Sequence, residues 1–268
     1  MQTKTKKLKV LELFSGIGGM HWALKEAQKE NEFEFEIMEA IDICDNANAV
    51  YKSNFPDVNV KARNICGLSW KELSKLQIEA IFMSPPCQPF TRQGLQKDTS
   101  DHRTQPLLHI VDEILPNVES LKYILMENVK GFEVSEAHAS LMDGLHRSGF
   151  KTQEYLLCPR QLGIPNSRLR YYLIASKNKL FESKEQLISN LQEIKPQASL
   201  QKFIQSDMEL GEYLNLDPGI SNELLKVDEK ILEKHAEVLD IVNSHSKVSC
   251  CFTKAYGKYA KGTGTKVI

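Results

Sequence analysis

No apolar run in this 268-residue sequence approaches the roughly 18 residues that a membrane-spanning helix needs. The basic opening, Met1-Gln2-Thr3-Lys4-Thr5-Lys6-Lys7, has no apolar segment behind it, so no secretory signal is expected and the chain is read as intracellular. None of the six cysteines forms a C-x-x-C pair, and no His stands at finger-like spacing from a Cys pair. That pattern argues against a structural zinc and, in a reducing compartment, for free thiols. The G-x-G-x-x-G string of nicotinamide-binding folds is missing. So are internal repeats and long low-complexity tracts.

What is present is an uneven distribution of charge around a net of −1. Residues 181–244 hold 13 acidic against 6 basic side chains, whereas residues 245–268 hold 5 lysines and no acid. An acidic, helix-rich stretch therefore precedes a basic strip. From Lys9 to Ser176 short apolar runs alternate with amphipathic segments. Strands are predicted at Lys9–Phe14, Phe35–Ile41, Asn59–Ala62, Ala80–Met83, Tyr123–Glu127, Glu154–Leu157 and Tyr171–Ala175. Helices are predicted at His21–Lys29, at Asp45–Ser53 and after a Ser69 cap. This alternation implies an α/β, Rossmann-like, doubly wound and mostly parallel sheet. Two polar amphipathic helices, Phe181–Ile194 and Val227–Val242, are predicted beyond it. The domain reading is a catalytic domain over 1–178 and a small helix-rich recognition module over 179–268.

Five segments carry chemistry. Leu13-Phe14-Ser15-Gly16-Ile17-Gly18-Gly19 is a glycine-rich turn from the first strand into the first helix, where backbone can approach a ligand closely. Asp42, ending the second strand, is placed to accept hydrogen bonds from a ribose. A plain tight turn is the competing reading. In Met83-Ser84-Pro85-Pro86-Cys87-Gln88-Pro89-Phe90, a cysteine just past a strand end is held by restricted proline backbone; a rigid turn with an incidental thiol is the alternative. Glu127 closes an apolar strand before Asn128 and Val129, where burial raises a carboxyl's pKa and suits it to proton transfer. A solvated strand-end acid would look the same. Arg168 and Arg170 share one side of an extended chain and can grip a carbonyl or phosphate, though alone such a pair most often forms a solvated edge. Cys250–Gly262 interleaves lysines, aromatics and glycines, a composition suited to phosphates and unpaired bases, or to a solvated tail.

In this order and spacing the five segments resemble the cytosine-C5 methyltransferase family, and within it the type-2 branch. The strings that carry the likeness are Leu11–Gly19 with Met20-His21, Met83–Gln93, Met126–Glu133, Gly163–Tyr171 and Cys251–Lys254. The resemblance implies S-adenosylmethionine as methyl donor and S-adenosylhomocysteine as product. It implies tRNA-Asp as substrate, methylated at an anticodon-loop cytosine, with DNA methylation as the alternative. Cys87 would add to the base, Glu127 would hold its N3, and Arg168 and Arg170 would orient its carbonyl. Phe14, Ser15, Gly16, Ile17, Gly18, Asp42, Ile43 and Pro85 would line the cofactor site, with Asn64 and Ile65 near the adenine. Arg92, Cys251, Phe252, Thr253, Lys254 and Tyr256 would face RNA. No metal is expected; a monomer in the cytoplasm, or also the nucleus, is. Family members continue past the C-F-T segment into a motif resembling R-Y-F-T-P-R-E and then a Gly-Asn-Ser segment. This sequence ends at Ile268 with no Gly-Asn pair, so weak cofactor binding, or a binding role without catalysis, is also expected of it.

Overall fold

The computed structural model describes residues 7–31, 33–86, 102–178, 209–213, 229–250 and 265–267. The chain packs as two compact units, one of Met1–Leu156 with Arg170–Ile188, the other of Leu157–Leu169 with Ser189–Ile268. Leu157–Leu169 thus belong with the second unit, and a single cut at 178 does not separate the two.

The first unit is built on seven strands: β1 (Leu8–Leu13), β2 (Phe35–Asp42), β3 (Val60–Ala62), β4 (Ala80–Met83), β5 (Tyr123–Val129), β6 (Lys151–Leu157) and β7 (Arg170–Ser176). Their order across the sheet is β3-β2-β1-β4-β5-β7-β6. β1 runs parallel to β2 and β4, β2 to β3, and β4 to β5, while β7 enters antiparallel to β5. Strands covered on both faces read as nearly continuous apolar runs, as Val10, Leu11, Leu13, Ala80, Ile81 and Met83 do, each fully buried. The strand order reverses between β1 and β4, and ligands of open α/β sheets bind outside the carboxyl ends at such a point.

Helices α1 (Gly19–Glu30) and α2 (Asp45–Asn54) contribute Leu24 and Tyr51 to one buried cluster with Val10, Ile37, Ala40 and Ala80. A bulge rephases β2: Val10 pairs with Ile37, but the next residue, Leu11, pairs with Glu39. Ile37 and Ala40, three apart, therefore reach the same core, which strict alternation forbids. Helix α3 (Trp70–Leu76) starts at Ser69, whose hydroxyl accepts the Lys71 N–H while its own N–H donates to Glu72. Helix α4 (Gln105–His109) runs on into a π-helical turn, Ile110–Ile114, and α5 (Glu136–Arg147) packs against both. Neither was predicted from periodicity.

In the second unit a helix α6 (Glu229–His235) is followed by β8 (Asp240–Val242), paired in parallel with β9 (Thr265–Val267). The single helix predicted over Val227–Val242 is corrected here. Its last residues form a strand because Asp240 turns to the Thr265 hydroxyl and the Cys250 N–H, and Ile241 and Val242 suit a ladder. The helix predicted over Phe181–Ile194 lies outside the described residues. Among the described residues no helix is long and apolar enough to cross a membrane.

Gly144 shows how tightly α5 sits. A Cβ there would come within 2.5 Å of Val111 Cγ1. Gly144→Ala is expected to cost about 1–3 kcal/mol by overpacking, offset in part by better helix propensity. Gly67→Ala, with nothing within 4 Å, is expected to be close to neutral. Urea denaturation of both variants checks the contrast.

Candidate active site

β1 ends in a turn whose backbone is unusual at three positions. Phe14 has φ of 52°, Gly16 of 53° and Gly18 of 93°. A positive φ at a non-glycine residue stores strain and persists only where its surroundings enforce it. Here the enforcement is visible. Ser15 N–H donates to Ile41 O, Gly18 N–H to Ser15 O, and Gly16 N–H to Asp42 Oδ2 at 2.9 Å. The other Asp42 oxygen accepts the Cys44 N–H at 2.8 Å. Asp42 thus laces the turn to the end of β2, and as a carboxylate it retains acceptor capacity for a ligand hydroxyl. A Cβ at Gly18 would meet Phe55 Cε2 at 2.6 Å, so glycine is required there for space as well as for φ.

The turn combines chemistry rarely left bare on a surface. Ile17 and Ile43 are 57% and 73% exposed, at the carboxyl ends of β1 and β2. Ser15 is buried, and its hydroxyl has no partner among the described residues. Asn64 caps the short turn Ile65–Gly67 by accepting the Cys66 N–H, and Ile65 is buried beneath it.

Under the turn lies a network that the sequence reading missed. Glu12, 1% exposed, accepts the Tyr51 hydroxyl at 2.7 Å and the backbone N–H of His21. His21 Nδ1 lies 3.0 Å from the same hydroxyl, and its ring stacks on Phe55 at 3.7 Å. Burial pushes the Glu12 carboxyl up to about 7, against the pull of its two donors. Burial, with Lys25 nearby, holds the His21 imidazole down to about 4. The only hint in the sequence was an acid inside the apolar run Lys9–Phe14.

A second group of polar side chains gathers where β4 and β5 end and the antiparallel β7 begins. Asn128, 1% exposed, reaches the carbonyl of buried Pro85 at 3.5 Å and so ties β5 to the segment leaving β4. Cys87 and Arg92, further along that segment, lie outside the described residues. In the antiparallel register Val129 faces Arg170, and Arg170 Nε lies 3.1 Å from Glu127 Oε1. The contact is an ion pair, since the Nε–H is not aligned as a hydrogen bond to it. Glu127 is thus paired rather than stranded at the strand end. Next to it on β7, Tyr171 donates to Glu154 Oε2 at 2.6 Å, and His138 Nε2 lies 2.6 Å from that same oxygen. These two contacts, His138 first, hold the Glu154 carboxyl below its usual range.

Arg168 belongs to the second unit, in the segment just before β7. Within that unit, Ser167 N–H donates to Ser249 O at 2.7 Å and Ser249 N–H to Pro165 O at 2.9 Å, with Ser167 bridged in parallel to Cys250. The Arg168 segment is therefore paired with the residues that lead into Cys251. Cys251, Phe252, Thr253, Lys254 and Tyr256 themselves lie outside the described residues. Among the described residues no group of His, Cys, Asp and Glu could hold a metal ion.

The sequence family described as C-5 cytosine-specific DNA methylase matches residues 8–265. A tRNA (cytosine(38)-C(5))-methyltransferase of Spodoptera frugiperda is 45% identical over 261 residues, covering 96% of this chain and 73% of that protein. The tRNA (cytosine(38)-C(5))-methyltransferase of Homo sapiens is 40% identical, covering 96% of this chain and 78% of its own length. The crystal structure of a Spodoptera frugiperda DNMT2 mutant superposes with a TM-score of 0.78 at 44% identity, over 96% of this chain and 73% of that one.

The opposed shifts of Glu12 and His21 have a measurable signature. Glu12, raised from 4.5 to about 7, holds a proton in the folded state that the unfolded state has lost, so its contribution falls as pH rises through that window. His21, lowered from 6.5 to about 4, does the reverse between about 4 and 6.5. The two nearly cancel where the windows overlap. Removing one unmasks the other. Relative to the wild type, Glu12→Gln is expected to gain on the order of 3 kcal/mol between about pH 4.5 and about pH 7.5. Urea denaturation at several pH values reads this difference, and a constant offset would contradict it.

Proposed function

The chain belongs to the C-5 cytosine-specific DNA methylase family, and we propose that within this family its substrate is tRNA, methylated at C5 of cytosine 38 in the anticodon loop. The observation that carries the choice of RNA is identity of 40–45% across 96% of the chain to enzymes named for that reaction. We also propose tRNA-Asp as the tRNA species, a monomeric protein, and the cytoplasm or nucleus as its place of action.

The methyl donor we assign is S-adenosylmethionine, at the turn after β1. The residues there suit it on their own evidence. Among the described residues the buried Ser15 hydroxyl has no partner and nothing crowds Gly16, which leaves room for a polar ligand against the backbone. Exposed Ile17 and Ile43 offer apolar contact for a purine, and Asp42 offers carboxylate oxygens for a ribose. Phe14, Gly18 and Pro85 complete the wall, with Asn64 and Ile65 toward the adenine. When bound, the cofactor supplies an electrophilic methyl group on a sulfonium.

The chain's own residues then do the following. Cytosine C5 is a poor nucleophile until a thiolate adds at C6, and Cys87 makes that addition. Electron density moves to C5 and N3. Glu127 holds N3, with Arg170 keeping the carboxylate in place, and Arg168 with Arg170 steadies the base carbonyl. After C5 is methylated, loss of its proton drives elimination of Cys87 from C6 and restores the aromatic ring. The base must leave its stack to reach these groups, which costs less from an anticodon loop than from a duplex. Arg92 and the strip Cys251, Phe252, Thr253, Lys254 and Tyr256 are assigned to the RNA.

Transfer of labelled methyl from S-adenosylmethionine to tRNA and to duplex DNA tests the proposal. Label is expected in tRNA and not in DNA. Cys87→Ala is expected to abolish it, and Arg170→Ala to lower kcat by about a hundredfold. Asp42→Ala is expected to raise KM for the cofactor while leaving that for tRNA alone. Label in DNA alone would favour the reading the family's description carries, a DNA methylase. None in either would favour binding without catalysis.

A further inference from the structure

Three glutamates on the sheet strands or beside them are buried: Glu12, Glu39 and Glu79. Two meet lysines, Glu39 with Lys61 and Glu79 with Lys122. Glu12 is the most buried of the three, and its partners are the Tyr51 hydroxyl and the His21 N–H. A buried carboxylate without a cation is expensive, and such groups cluster at functional sites. The methyl-transfer chemistry described above makes no use of it.

We propose that Glu12, acting through Tyr51 and His21, is a positioning residue for the cofactor turn, its carboxylate form setting the turn for a sulfonium ligand. The inference rests on the assignment of S-adenosylmethionine to that turn. Each link is a contact. The first turn of α1 leaves N–H groups without helical partners, and its N-cap, Gly18, has no side chain with which to cap them. Glu12 supplies the missing acceptor from β1 by taking the His21 N–H. The His21 ring stacks on Phe55, and Phe55 is the surface on which Gly18 rests.

The hydrogen-bond chain has a direction. With Glu12 ionised, His21 Nδ1–H donates to Tyr51 Oη, and Tyr51 donates to Glu12. With Glu12 protonated, both bonds reverse and His21 takes its other tautomer. The titratable groups that meet Glu12 are His21 from α1 and Tyr51 from α2, with Lys25 acting on the His21 ring; its neighbours across the sheet, Ala40 and Phe82, carry no charge. Asp42, two residues beyond Ala40, is engaged by the backbone of Gly16 and Cys44. With the carboxyl poised at about 7, the positive sulfonium and ammonium of the cofactor favour the ionised arrangement. Binding near neutrality then releases a proton, and affinity rises with pH.

Calorimetric titration of the full chain with S-adenosylmethionine, in buffers of two ionisation enthalpies, tests this, with filter binding of tRNA alongside. Wild-type affinity is expected to fall about tenfold from about pH 8 to about pH 6. Glu12→Gln is expected to lose that slope and its share of proton release, and to bind weakly at both pH values with tRNA affinity unchanged. In Tyr51→Phe the ring remains but a donor that lowers the Glu12 pKa is gone, so the inflection is expected to move to higher pH. Superimposable pH profiles for the wild type and Glu12→Gln, or an equal loss of tRNA affinity, would overturn the proposal. Should Glu12→Gln not fold, an unshifted inflection in Tyr51→Phe does the same. No binding by the wild type at any pH would instead remove the cofactor assignment itself.

Discussion

Two backbone N–H groups, of Gly16 and Cys44, converge on the carboxylate of Asp42, and the arrangement of the sheet edge beyond β1 and β2 depends on that convergence. The turn after β1 holds three residues at positive φ, one of them a phenylalanine. Left alone, such backbone relaxes. Asp42 fixes it by bonding across from β2, and the Ser15–Ile41 hydrogen bond adds a second tie. The bulge after Ile37 makes this possible, because it sets which side of the sheet Ala40 and Asp42 share with Glu12. A local irregularity in one strand thereby decides the geometry of a loop on its neighbour.

The opposite half of the edge follows a different logic. There the antiparallel entry of β7 beside β5 brings Arg170 to Glu127, two residues that are 43 positions apart only because a strand and a helix intervene. Asn128, facing the other way on β5, secures the Pro85 carbonyl. Alternation of side chains along one strand thus serves two purposes at consecutive positions. Glu127 meets the arginine, and Asn128 steadies the segment that leads to Cys87.

Much of this was legible in the residues. Ala80–Met83 stands in the sequence with its observed bounds, and six further strands within a few residues; for β1, β2, β4 and β5 the reason is that central parallel strands are largely apolar runs. Asp42 and Glu127 stood out as acids ending such runs. Other features left no local trace. Nothing in Lys9–Phe14 says that Glu12 meets a tyrosine from α2, since that partner is chosen by packing. α4 and α5 carry their apolar residues among His, Ser and Gly, which blurs the helical period. The strand at Asp240–Val242 follows directly on a helix, and its register is fixed by Thr265, far along the chain.

The division of the chain into interleaved units has a consequence for how the protein is made. Leu157–Leu169 leave the ribosome before β7 does, yet they belong to the unit whose remaining residues follow β7. Ser167 and Pro165 wait for Ser249, and Asp240 waits for Thr265. Meanwhile β5 can already take up β7. During synthesis β7 can therefore join β5 while Pro165 and Ser167, in the segment between β6 and β7, still lack their later partner Ser249. That segment spends the interval as a tethered loop whose ends are already brought together, so the entropy of closing it is lost before its late partners arrive.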